Sequence, residues 1–168
     1  MRDNLSNNNY DSDRDAFRQL PVFQKAVAIL KIVEHLIDGI SLEECGANSP
    51  FELAMLEHHR KNIMENSLLI PVKIAGAEGD DIYDHKMENA TVIRKAALEL
   101  ITDIKGMQIA GFKEIEYLNL IENEIESFRP IFAEWIKTFK TSNYIIDRWG
   151  LFNPPGVNYN DQDEEDLY

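Results

Sequence analysis

Several groups of side chains in this chain have the types that chemistry uses. His58-His59-Arg60-Lys61 offers two imidazoles and two cations in a row. Adjacent residues on a helix point about a hundred degrees apart, so the two histidines cannot both ligate one ion without distortion. The segment reads as a solvated basic stretch. Glu78, Asp80, Asp81, Asp84 and His85 form an acidic cluster at a helix junction. Asp81 and His85 are four apart and share a face, the arrangement a weak divalent-cation site would need. Helix capping explains the aspartates more simply. Glu122 and Glu126 have acid/base spacing but fit a hydrated helix face.

Other chemistries lack their residues. A di-iron bundle needs Glu three before His, and the residues three before His35, His58, His59 and His85 are Ile32, Met55, Leu56 and Ile82. There is no Gly-x-Ser-x-Gly, no phosphate-cradling glycine loop and no Cys-x-x-Cys. Cys45 is alone, beside Glu43 and Glu44, which would hold its thiol protonated. No catalytic residue, metal site or cofactor is expected. Lys73, Lys86, Arg94 and Lys95 are the candidates for a basic, nucleic-acid-binding patch. The net charge of −13 opposes that use, because phosphate binding draws on Lys and Arg. The five acidic groups of residues 158–168 are not the whole cause, since residues 21–157 keep an acidic excess of seven. Tyr144, Trp149, Leu151 and Phe152 form an apolar C-terminal cluster, read as a lid on the bundle or a contact with another subunit.

The elements that position these residues are helical. Asp81 to Lys105 reads as the central helix, with Ala90, Ile93, Ala97, Leu100 or Ile101, and Ile104 on one face and Gly106 as its stop. A helix from Pro21 to about Gly39 carries Val22, Ala26, Ile29, Val33 and Leu36. A second, from about Pro50 to Ala77, carries Leu53, Leu56, Ile63, Ile70 and Ile74, with Arg60 and Ser67 in register. A fourth, Lys113 to Lys140, places Leu118, Ile121, Ile125, Phe128, Phe132, Trp135 and Phe139 in one seam. With short connections these give an all-α, antiparallel up-down four-helix bundle with a C-terminal aromatic extension.

A chain of 168 residues supports one domain. We expect a disordered arm at 1–19, the bundle at 20–140, an apolar extension at 141–157 packing on the bundle or a neighbour, and a disordered acidic tail at 158–168. The polar N-terminus does not read as a signal peptide, and no apolar run reaches the ~20 residues a bilayer needs. A cytoplasmic protein with no membrane partner is expected.

Leu20-Pro-Val-Phe-Gln-Lys-Ala26 and Ile70-Pro-Val-Lys-Ile-Ala-Gly-Ala-Glu-Gly79 carry a resemblance. The region from Leu20 to Phe139 resembles the small bacterial four-helix-bundle family named for proteins encoded in intervening sequences of 23S ribosomal RNA genes. Members carry an Ile-Pro-x-Asn-Ile-Ala-Glu-Gly-like signature. Here Lys73 replaces the Asn, and Gly76-Ala77 looks like a two-residue insertion. The resemblance implies a self-associating bundle with no established enzymatic reaction. Related accessory proteins of diversity-generating retroelements form five-fold rings and bind nucleic acid through basic surface. It therefore implies a homo-oligomer, a pentamer by that analogy, acting in binding or scaffolding, with nucleic-acid accessory work as the alternative.

Overall fold

The computed structural model describes residues 16–39 and 47–162. The arm at 1–15, Cys45 and residues 163–168 of the acidic end lie outside the described residues. Every regular element described is helical. A 3-10 turn, Ala16–Gln19, precedes α1 (Pro21–Gly39), α2 (Pro50–Glu78), α3 (Tyr83–Ile109) and α4 (Ile115–Ile136). The expected arm thus gives way to structure by Ala16, where the Phe17 ring stands edge-on to Phe23 at 4.9 Å.

The helices pack in a closed ring, α1 on α2, α2 on α3, α3 on α4 and α4 on α1. This is the four-helix bundle expected from the hydrophobic periodicity. The stripe of α1 is buried as anticipated, from Val22 to Leu36. On α2, Leu56, Ile63, Ile70 and Ile74 are buried, and Ser67 among them donates its hydroxyl to the Met64 carbonyl at 2.9 Å. A buried hydroxyl without that partner would be costly.

The α2 N-terminus is capped by side chains on both sides of its first turn. Ser49 Oγ accepts from Glu52 N at 3.2 Å, and Glu52 Oε2 accepts from Asn48 N at 2.6 Å. This is a capping box displaced by one residue. Both α2 and α4 run continuously through internal prolines, Pro71 and Pro130.

α3 departs from expectation at both ends. It begins at Tyr83 rather than Asp81, and it passes through Gly106 to Ile109. The stop is Gly111, at φ +86. Phe112 N donates to Met107 O and Gly111 N to Gln108 O, the paired bonds of a Schellman motif, with Phe112 and Met107 both buried. α4 ends at Ile136, short of the expected Lys140; its seam is buried at Leu118, Ile121, Ile125, Phe128 and Trp135, and Phe139, just beyond the helix, is buried too. Phe132 is the exception. It is only half-buried, so the expected seven-residue seam is open at one position.

Candidate interaction surface

Two surfaces stand out, and both involve α3. The first is the C-terminal extension, residues 141–162, which forms a hydrogen-bonded hook. Its base is fixed to the start of α3. Tyr83 N donates to Asn143 O at 2.8 Å, Asn143 Nδ2 to Asp81 O at 3.1 Å, and Ile145 N to Asp84 Oδ1 at 3.0 Å. Asp84, a member of the acidic cluster, therefore serves as an anchor of the hook.

Asp147 organises the hook itself. Its carboxylate accepts from the backbone N–H groups of Trp149, Leu151 and Phe152 at 2.8–3.0 Å. Those donors hold its carboxyl below the ordinary carboxylate range, Trp149 N–H contributing most. Asn153 closes the loop by accepting from Asp147 N and donating to Asp147 O. Gly150, at φ +71, makes the turn between Trp149 and Leu151 that a side chain would strain. Arg148 donates to the carbonyls of Tyr159 and Asp161, drawing the last described residues back onto the hook.

The result is the reverse of a simple lid. Trp149 is 91% exposed and Leu151 74%, whereas Tyr144 is only just exposed and Phe152 half-buried. Of the four aromatic and aliphatic candidates, Trp149 and Leu151 are thus the pair held out in solvent. The signal for this was present as Asp147-x-x-Gly150, an Asp at the first and a Gly at the fourth position of a turn.

The second surface is an apolar groove of about 340 Å³ between α3 and α4. Ala97, Leu98 and Ile101 line one side, and Phe128, Phe132 and Ala133 the other. Arg94 and Arg129 stand at its edge. Arg129 pairs with Glu126 at 2.6 Å, and Arg94 has no acidic partner among the described residues. Half-burial of Phe132 follows from this groove.

The basic candidates do not share one face. Lys86 lies nine residues before Lys95, which on a helix places them on opposite sides. Lys86 is drawn inward, 3.7 Å from Glu78 Oε1 and 5.0 Å above the Phe139 ring. Glu78 also accepts from Trp135 Nε1 at 2.8 Å, so it joins α2, α3 and α4 at one end of the bundle. Lys95 pairs with Glu99, and Lys73 is half-buried on α2.

In the acidic cluster His85 stands between Asp80 and Asp84, its Nε2 3.9 Å from Asp84 Oδ2, while Glu78 turns to Lys86 and Trp135. Asp80 accepts from Ile82 N and from His85 Nδ1, each at 2.8 Å. The Ile82 N–H and then His85 lower the Asp80 pKa, and Asp80 raises that of His85. Asp80, rather than Asp81, is the residue that prepares the α3 N-terminus. Among the described residues no group of three or more His, Cys, Asp or Glu side chains is arranged to hold a metal ion.

His59 is no part of a solvated segment. It donates Nδ1–H to Asp103 Oδ1 at 2.8 Å, and Asn62 Nδ2 donates to the same oxygen at 3.2 Å. Asp103 is buried in the α3 stripe, and Gly106 leaves the space in which the imidazole lies. A carboxylate that orients a histidine is two thirds of a nucleophilic triad. No hydroxyl or thiol among the described residues is hydrogen-bonded to His59, so the pair acts as a pin between α2 and α3.

No family model matches this chain, and no solved structure matches it. A curated protein to which it is similar is the DNA mismatch repair protein msh3 of Aspergillus oryzae (strain ATCC 42149 / RIB 40), 27% identical over 121 residues. That alignment takes in 70% of this chain and 10% of the fungal protein, so the chain spans about a tenth of its relative's length. Among the described residues no helix is long and apolar enough to cross a membrane.

Proposed function

We propose that this chain is a non-enzymatic helical-bundle protein of the cytoplasm that works by self-association, as a binding or scaffolding unit. The observation that carries the reading is the hook, which holds Trp149 and Leu151 out of the protein's own core. Large apolar side chains kept in water by a network of backbone hydrogen bonds supply buried surface to something else. The resemblance to the intervening-sequence bundle family points the same way and makes a five-membered ring the expected form. Absolute mass by light scattering on a sizing column tests this. A defined multiple of the 19.4 kDa chain is expected. A monomer at every concentration would remove the reading.

A second reading is a nucleic-acid accessory role through Lys73, Lys86, Arg94 and Lys95. The likeness to a protein named for DNA mismatch repair favours it. The engaged state of Lys86 and Lys95 leaves Arg94 and Lys73 as its principal cations. Binding to labelled DNA or RNA should then weaken steeply with salt. Absence of binding at low salt would sink it.

A further inference from the structure

We propose that the hook of one copy seats Trp149 and Leu151 in the α3–α4 groove of a second copy, joining bundles head to tail. The inference rests on the self-association reading and supplies its interface.

The hook has the form of a preorganised anchor. Three backbone N–H groups converge on Asp147, Asn153 closes the loop, and Gly150 turns the chain so that Trp149 and Leu151 project outward. Because this conformation is already fixed, less ordering is left to do on binding, and a rigid tryptophan is the kind of side chain that dominates an interface.

The groove is apolar, and its own hook does not fill it. The hook is anchored through Asp84 in the first turn of α3. The α3 wall of the groove begins at Arg94 and extends to Ile101. At 1.5 Å per residue these lie about 15 to 25 Å further along the helix. With Trp149 91% exposed in this chain, filling the groove falls to a separate molecule.

Charge selects a second copy as that molecule. The chain is acidic in net charge, at −13, yet the groove edge carries Arg94 and Arg129. The sequence that follows the hook is Asp161-Gln-Asp-Glu-Glu-Asp166. The charge of that sequence is opposite to that of the two guanidinium groups at the groove edge, one of which has no acidic partner among the described residues. The same chain thus carries an apolar projection with an acidic sequel and an apolar groove with a basic edge. Hook and groove are different surfaces, so the contact is heterologous and generates a closed ring or an open filament.

Light scattering on a sizing column, over a concentration series, tests the proposal with three full-length proteins. These are the wild type, the double variant Trp149→Ala/Leu151→Ala, and Ala133→Glu, which puts a charge at an exposed position of the groove wall. Thermal melts confirm folding. If Ala133→Glu melts early, Arg94→Glu at the groove edge replaces it. The wild type should be oligomeric and both variants monomeric. Mixed in equal amounts, the variants should recover a dimer, since one intact hook and one intact groove remain. An oligomer unchanged in both variants overturns this interface and leaves self-association standing. Monomeric variants that fail to recover a dimer overturn the head-to-tail pairing. A wild type that is monomeric throughout overturns the interface and the self-association reading together. An oligomer lost only in the hook variant places the hook in some other surface and also overturns the groove assignment.

Discussion

α3 meets its two neighbours in opposite ways. Toward α2 it presents Gly106 and a polar pin, Asp103, that takes His59 and Asn62, with the buried Ala96 and Leu100 on the same face by their spacing. Toward α4 it presents Ala97 and Ile101 across an open groove, facing the half-buried Phe132. The difference lies in what stands opposite. His59 fits onto the bare backbone of Gly106, whereas on the α4 side Ala97 and Ala133 leave space that no bulkier residue fills. One face is consumed by the fold and the other is left available.

The contrast can be broken most strongly at the closed face. Leu100→Ala should destabilise the protein by about 2–5 kcal/mol in urea unfolding, because Leu100 is fully buried. A loss under about 1 kcal/mol would mean the site collapses freely and the face is not close-packed. Gly106→Val comes next, at about 1–3 kcal/mol. A Cβ there would sit 2.3 Å from the His59 ring, so the ring must leave Asp103. A neutral result would show that the ring has somewhere else to go.

At the open face the effects shrink. A fully buried Phe132 would cost about 3–5 kcal/mol on truncation, but its half-exposed ring should cost about 1–2 kcal/mol. A loss in the higher range, measured on dilute protein, would mean the groove is closed in solution.

The smallest effect concerns pH at the base of the hook. His85 has a raised pKa in the folded chain, so its contribution is complete below the ordinary 6.5 and fades as pH rises through the folded value. Asp80 has a lowered pKa, so its contribution is complete above the ordinary 3.8 and fades as pH falls through the folded value. The pair therefore helps most between those two ordinary values. Asp147 adds an acid-side dependence of the same sign as Asp80. In an NMR titration His85 should show a midpoint above 6.5, and Asp80→Asn should bring it down. A midpoint at or below 6.5 in the wild type would contradict the hydrogen bond.

Periodicity made the bundle legible because burial of a helix face depends on residues of the same helix. Val22 to Leu36 of the α1 stripe, Leu56, Ile63, Ile70 and Ile74 of α2 and six of the seven expected seam positions of the last helix are buried as the spacing demands, while Leu53 and Arg60 are only half-buried. Local chemistry was legible only where its signal was local. Gly106 looked like a stop, but Gly111 with its positive φ ends α3, because Gly106 is needed for a neighbour rather than for a turn. His59 looked solvated because the residue that pairs with it, Asp103, is 44 positions away. The outward aim of Trp149 and Leu151 depends on Asp147 gathering N–H groups from the residues that follow it.

Composition and period act within each segment, and they were enough to establish a helical bundle of acidic net charge with an apolar C-terminal segment. Which apolar side chains the core would use, and which it would leave outside, emerged only when the helices packed. Complementary shape between two helices depends on both partners at once, and neither stripe read alone contains it.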